Sequence, residues 1–147
     1  MKEQTTGHFV GAILGNVFGI LLFNSVLLWR TYTRGVILDT WIDILWATNL
    51  SLGIQMLGNL LLAFYRPPRF YALMRALFAA ASLLSVIVFY IVFPLDFSGI
   101  VGAWLNTLLK VLLFVSMAVA MITAIVHLVR FIAGPGHGEK RAAAHRP

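Results

Sequence analysis

The stretch FVGAILGNVFGILLFNSVLLW, residues 9–29, contains no charged side chain. A helix needs about 20 consecutive apolar residues to cross a bilayer. Three similar stretches follow, and we expect spans at about 42–65, 70–93 and 105–132. Because lipid does not satisfy open backbone groups, the sequence predicts an all-α polytopic membrane protein. The last apolar segment, 100–133, is longer than one crossing, so we expect its first part to lie along the interface.

The composition favours lipid over water as the solvent of residues 1–133. Hydrophobic residues make up 61% of the chain and charged residues 11%, whereas soluble domains are about half apolar and a quarter charged. The net charge of +6 is scattered between the apolar stretches, so it does not indicate nucleic-acid binding. Residues 134–147, GPGHGEKRAAAHRP, predict a disordered basic cytoplasmic tail.

The basic residues predict the orientation of the helices. With the N-terminus in the cytoplasm, Arg30 and Arg34 lie on the outer side and Lys110 falls within the fourth span. The other eight lie on the cytoplasmic side: Lys2, Arg66, Arg69, Arg75, Arg130, Lys140, Arg141 and Arg146. The positive-inside rule therefore predicts an up-down-up-down four-helix bundle with both termini cytoplasmic. We expect the membrane to be a prokaryotic cytoplasmic membrane.

Small residues form a stripe on the first span. Gly11, Gly15 and Gly19 recur every four residues and drift only about 80° around a helix, so they form one groove. Membrane helices associate by close backbone approach, for which such a GxxxG groove is suited. Matching small residues occur on the third and fourth spans: Ala72, Ala76, Ala80, Ser116, Ala120 and Ala124. We expect packing within the chain, with a seam between copies or a pore lining as alternatives.

Polar side chains at membrane depth form a second pattern. At about 1.5 Å per residue, Asn16 lies level with Gln55 and Asn59, and Asn24 lies level with Asn49. The main interpretation is an interhelical amide ladder between the first two spans, each contact contributing about 0.5–2 kcal/mol. The alternative is a hydrophilic lining for a small solute or a water-filled cavity.

Three charged residues lie near the predicted outer level. Asp39 and Asp43 are one helical turn apart, so their carboxylates point the same way. Lys110 falls at a height similar to that of Asp43, and we predict a salt bridge that tethers the second span to the fourth. The alternatives are a protonatable or ion-binding site at the outer mouth, or two groups that extend to water.

The sequence contains no pattern typical of an enzyme. There is no cysteine, and nucleophile-elbow, zinc-protease and P-loop motifs do not occur. We therefore expect neither catalysis nor a metal site. His8 and His127 lie near the inner ends of their helices and could ligate haem from both sides. The sequence favours that hypothesis least, and we expect no cofactor beyond contacts with membrane lipids.

The leading functional hypothesis is a small integral membrane protein that acts by helix–helix association. It would be an accessory subunit of a larger membrane complex, or it would associate with itself. Few intramembrane charges, small-residue faces and short connections motivate this hypothesis. The alternative is a channel or carrier for a small solute or ion.

Overall fold

Four long helices make up most of the structure. The computed structural model describes residues 6–29, 32–33 and 35–133. Its helices are α1 (Thr6–Trp29), α2 (Trp41–Phe64), α3 (Pro68–Val92) and α4 (Ala103–Ala133). Each helix is long and apolar enough to cross a membrane. The all-α prediction is therefore confirmed, and the helix ends differ from the predicted spans by three residues or fewer. The predicted tail, 134–147, lies outside the described residues.

The helices pack in the order in which they follow one another in the chain. Within the described residues, α1 packs against α2, α2 against α3 and α3 against α4, and no other pair of helices is in contact. Phe9, near the start of α1, belongs to the same cluster as Leu62, near the end of α2. As a result α2 and α3 are covered on two sides, whereas α4 contains no buried residue.

An apolar cluster joins α1, α2 and α3 near the turn between α2 and α3. Phe9, Leu62, Met74 and Phe78 are its buried members, and none is more than 9% exposed. The ring of Phe78 lies over Gly58 of α2, where an added Cβ would stand 2.5 Å from Phe78 Cζ. The missing side chain of Gly58 therefore allows α2 and α3 to approach closely at this level.

Pro67 and Pro68 separate α2 from α3. A proline in a helix interior removes a backbone donor and clashes with the preceding turn, so α2 does not continue through these residues. Pro68 begins α3 and tolerates that position because the first N–H groups of a helix have no internal partner. Arg66 closes the end of α2. Its guanidinium donates to the carbonyl oxygens of Leu62 and Ala63, each at 2.9 Å, and to Thr6 Oγ1 at 2.7 Å. One side chain thus ties the start of α1 to the end of α2.

The fourth apolar segment forms one unbroken helix. Helix α4 is continuous over 31 residues, Ala103–Ala133, and the position of the first part of the segment along the interface stays a prediction. At 1.5 Å per residue it is about 46 Å long, more than the roughly 30 Å of a hydrocarbon core. A helix of this length tilts or extends into the headgroup region. Gly102, with φ +120°, forms the turn that precedes it.

Two connecting segments pair at one end of the helices. The N–H of Leu38 donates to the carbonyl of Pro94 at 3.0 Å, and the N–H of Asp96 donates to that of Val36 at 2.8 Å. We refer to the end formed by residues 35–40 and 93–102 as the loop end. The opposite end, which contains the turn 65–67, is the basic end, because it carries these cationic residues: Arg66, Arg69, Arg75 and Arg130.

Candidate functional site

A polar group joins α2 to α3. Thr48 Oγ1 and Ser85 Oγ lie 3.3 Å apart, and the Gln55 amide donates to Ser51 Oγ at 3.2 Å and to Ser82 Oγ at 3.1 Å. Buried hydroxyl and amide groups are costly unless they are hydrogen-bonded, so these bonds fix the register of the two helices. Sequence reasoning identified Gln55 as a polar residue at membrane depth but missed Ser82 and Ser85. The two serines lie three residues apart in an alanine- and leucine-rich segment, a spacing that places both hydroxyls on one side of a helix.

A second polar contact joins α1 to α2. Asn24 and Asn49 exchange hydrogen bonds: Asn24 Nδ2 donates to Asn49 Oδ1 at 2.8 Å, and Asn49 Nδ2 donates to Asn24 Oδ1 at 3.2 Å. Asn24 Nδ2 also lies 2.7 Å from the carbonyl of Ile20. The two amides satisfy each other's donors and acceptors, which is the favourable arrangement in lipid.

The other members of the expected amide ladder do not bond to one another across the α1–α2 contact. Gln55 turns toward α3, and Asn59 Nδ2 donates to the backbone carbonyl of Gln55 at 2.7 Å within its own helix. Asn16 is half-buried on α1, and its Nδ2 is shielded from solvent without a hydrogen-bond partner in the described part of the chain. A buried donor in this state costs about 1–3 kcal/mol.

The glycine stripe of α1 faces mostly away from the rest of the described residues. Among the described residues, a Cβ on Gly11 or Gly15 would meet no heavy atom of another part of the chain within 4 Å, whereas one on Gly19 would lie 3.3 Å from Leu52 Cδ1. The expected packing of this groove against small residues of α3 and α4 does not occur in the part of the chain that the structure describes, because α1 packs along α2 there. The side of α1 that carries Phe9 and Asn16 takes that contact instead.

The small residues of α3 and α4 lie in a different contact. Ala72 and Ala76 are buried and Ala80 is exposed, while Ala120 and Ala124 are half-buried. Since α4 packs only on α3, Ala120 and Ala124 belong to the α3–α4 contact. Ser116 is exposed, and its hydroxyl donates to the Leu112 carbonyl of its own helix at 2.8 Å.

The predicted salt bridge between Asp43 and Lys110 does not form. Asp43 lies exposed in the first turn of α2, where a carboxylate interacts favourably with the positive end of the helix dipole. The Lys110 ammonium lies over the Phe93 ring, 4.7 Å from its centroid. Counting along helices predicts similar depths, but α3 packs between α2 and α4. Asp39 is exposed just before α2, in the turn at 39–40.

Trp41 anchors the loop end, a role that sequence reasoning missed. It is 6% exposed, and its indole Nε1 donates to the carbonyl of Phe23 on α1 at 3.1 Å. Its ring stacks on that of Phe23 at an interplanar angle of 16° and meets the Phe89 ring edge-on at 85°. One side chain therefore contacts α1 and α3 from the start of α2.

Asp96 organises the connection between α3 and α4. Its Oδ1 accepts hydrogen bonds from the Ser98 N–H and from Asn106 Nδ2, both at 2.9 Å. Hydrogen bonds from the Ser98 hydroxyl, the Ser98 N–H and the Asn106 amide hold the pKa of Asp96 below its ordinary value. The D-F-S sequence at 96–98, an aspartate two residues before a serine, is a signal for such a turn, because an aspartate side chain bonds the backbone two residues on.

The two histidines lie on helices that do not touch each other. His8 is exposed on α1 and packs edge-on against Phe9, with ring centroids 5.6 Å apart. His127 is half-buried on α4, and α1 and α4 are not in contact within the described residues. The structure therefore does not bring the two imidazoles together.

The structure thus contains two internal polar contacts, an uncovered glycine face on α1 and a cationic end. The described residues contain no group of three or more histidine and carboxylate side chains able to hold a metal ion. No protein family, curated protein or solved structure matches the chain.

Proposed function

We propose that this chain is a small integral membrane protein that acts by helix–helix association. Its contact surface would be the glycine face of α1, which we define as Gly11, Gly15, Phe18 and Leu22. The observation that carries the proposal is the open space beside Gly11 and Gly15, where no heavy atom from another described part of the chain lies within 4 Å of an added Cβ. The partner is a transmembrane helix of another subunit or of a second copy.

The chemistry of the glycine face suits a helix better than lipid. Two bare backbone turns let a second helix approach closely, which increases dispersion and allows Cα–H···O contacts. Phe18 and Leu22, 66% and 50% exposed, lie beside the glycines and supply ridges for a partner. The proposal includes alternate crossing of the membrane with cytoplasmic termini, which the eight-to-two distribution of basic residues supports.

Adding a bulky side chain to the glycine face tests this proposal. We expect the wild-type chain, at native expression levels in mild detergent, to elute with a defined partner or as an oligomer. Gly15→Leu fills the groove and should weaken association by at least about tenfold, since small interfacial residues permit the approach on which it depends.

Gly53→Leu is the matched control. Gly53 lies on α2 with nothing within 4 Å of an added Cβ, so the same side chain enters open space on a different helix. Association should survive this change. A wild-type monomer without a partner, or a Gly15→Leu variant that associates as tightly as wild type, would refute the proposal.

A carrier or channel for a small polar solute is our second candidate. It is favoured by the shielded, unpartnered Nδ2 of Asn16, at a depth where Gln55 and Ser51 also present polar atoms between helices. In proteoliposomes, Gln55→Leu should then reduce solute flux while the helix content stays constant, and Asp43→Asn tests the mouth at the loop end. Equal flux in empty and protein-containing vesicles, across several ions and pH gradients, would exclude this candidate.

A visible spectrum of the purified protein separately tests haem binding.

A further inference from the structure

The packing register of α3 and α4 places cationic side chains of both helices at one level. At the loop end, the contacts pair Phe93 with Lys110 and Phe97 with Asn106. This antiparallel pairing, continued toward the basic end, puts Arg75 opposite residue 128 and therefore beside His127. Arg130 follows three residues later on α4, on a neighbouring side of that helix.

Arg75 and Arg130 lack a counter-charge within the described residues. Neither guanidinium has a hydrogen-bond or carboxylate partner there, whereas Arg66 at the same end is bonded to Thr6 and the end of α2. The described carboxylates, Asp39, Asp43 and Asp96, all lie at or near the loop end, and Glu3 and Glu139 lie outside the described residues. Both arginines act electrostatically on His127, so this corner of the molecule is strongly cationic.

The side chain of Arg75 is long enough to extend from inside α3 toward the start of the helix. It lies seven residues inside the start of α3, about 10 Å along the helix, and is half-buried. Its guanidinium lies 6.0 Å from the centre of the Tyr71 ring, one turn nearer the helix start. The side chain therefore extends toward the membrane surface, as long basic side chains do.

The α4 surface next to Arg130 carries two exposed valines. Val126 and Val119 lie on the same side of the helix as Arg130, and they are 41% and 59% exposed. From Arg130 to Val119 this strip runs about 16 Å. A phosphate held by the two arginines would leave an acyl chain lying along these valines, a fit that free phosphate does not exploit.

We propose that Arg75 and Arg130, with His127 between them, bind the phosphate of an anionic phospholipid at the basic end of the α3–α4 contact. Guanidinium groups bind phosphate through paired, charge-assisted hydrogen bonds, and basic pockets between transmembrane helices are suited to acidic headgroups. The site is separate from the glycine face of α1, so the two proposals fail independently.

The test titrates the full-length chain in neutral detergent with dioctanoyl-phosphatidylglycerol and measures bound lipid by native mass spectrometry. Dioctanoyl-phosphatidylcholine has the same acyl chains without the net charge, and we expect it to bind at least about tenfold more weakly. Arg75→Gln and Arg130→Gln should each weaken phosphatidylglycerol binding about tenfold or more, the usual loss for a charge-assisted hydrogen bond.

Arg69→Gln is the matched control, because Arg69 is exposed at the same end and its loss changes the net charge equally. We expect this variant to bind phosphatidylglycerol within about twofold of wild type. If Arg75→Gln does not fold, Arg130→Gln carries the test alone, since Arg130 is exposed. An equal loss in Arg69→Gln would mean diffuse attraction and would overturn the proposal, as would equal binding of the two lipids.

Inorganic phosphate distinguishes the source of the ligand. We expect millimolar phosphate to leave the bound phosphatidylglycerol nearly unchanged, because the valine strip contributes only to lipid binding. Displacement of the lipid by phosphate at comparable concentration would show a site for soluble anions, and the lipid assignment would be wrong.

Discussion

Gly58→Ala should destabilise the fold, although alanine is the better helix former. The added Cβ would lie 2.5 Å from Phe78 Cζ, whereas carbon atoms pack at about 3.5–4.0 Å. Because Phe78 Cε1 would lie nearer still, the ring must move by more than about 1 Å. Phe78 is 7% exposed and packs in the cluster with Phe9, Leu62 and Met74, so it has little room to move. Overpacking of this kind costs about 1–3 kcal/mol.

Gly53→Ala isolates the steric part of this effect. Both glycines lie inside α2, and each alanine gains up to about 1 kcal/mol of helix propensity. An alanine at Gly53 meets nothing within 4 Å, so only the variant at Gly58 clashes. The difference in unfolding free energy between the two variants should therefore be about 1–3 kcal/mol, with Gly53→Ala as stable as wild type or more stable.

Unfolding in mixed micelles with increasing mole fraction of sodium dodecyl sulfate, followed by circular dichroism, measures these differences. Gly58→Ala combined with Phe78→Leu should lose less stability than the two single changes added together, because leucine removes the clashing ring edge. Equal stability of Gly58→Ala and Gly53→Ala would refute the close approach of α2 and α3. Additive effects in the double variant would show that Phe78 is not the obstructing side chain.

Three further predictions concern hydrogen bonds, and the same unfolding assay measures the first two. Asn24→Leu and Asn49→Leu should each cost about 1 kcal/mol by leaving one amide unpaired, and the double change should cost no more than either single one; additive losses would contradict the reciprocal pair. Trp41→Phe keeps the ring but loses the donor to the Phe23 carbonyl, for a loss of about 1 kcal/mol; an unchanged free energy would contradict that bond. The lowered pKa of Asp96 means that its stabilisation is present above the ordinary aspartate pKa and is lost as the pH falls through the folded pKa. Wild type should therefore have a higher thermal midpoint than Asp96→Asn at neutral pH, and the gap should close in acid; a pH-independent gap would contradict this.

The number and position of the helices could be predicted from sequence because bilayer thickness sets their length. An apolar run without charges has one stable conformation in lipid, and Pro67 and Pro68 mark the turn between α2 and α3. Local chemistry also gave the depth of Asn24 and Asn49, since depth depends only on the rise per residue. These inferences need no knowledge of which helices are neighbours.

The rotation and neighbours of the helices could not be predicted in the same way. Helix α1 has two sides that could pack against α2: the glycine stripe, and the side with Phe9 and Asn16. The second side contributes the apolar cluster, and the Asn24–Asn49 bond and the Trp41 indole reinforce the same contact. A stripe of small residues is a property of one helix. Which side of α1 faces α2 depends instead on the summed interaction free energy of all residues in the contact. Likewise, counting along helices predicts similar depths for Asp43 and Lys110, but depth does not specify that α3 lies between them.

The row-like packing leaves two outer helices whose open faces differ chemically. The alanines of α4 are used against α3, so its open face carries bulky side chains such as Val119 and Ile122, each 59% exposed, which pack as well against lipid as against protein. The open face of α1 carries Gly11 and Gly15, which gain most from another helix. If that helix belongs to a second copy, the same face on both copies closes a two-fold dimer. Association through α1 alone therefore stops at two copies, whereas contacts between α1 and α4 of successive copies would continue into a chain. The mass of the wild-type complex in mild detergent distinguishes these arrangements.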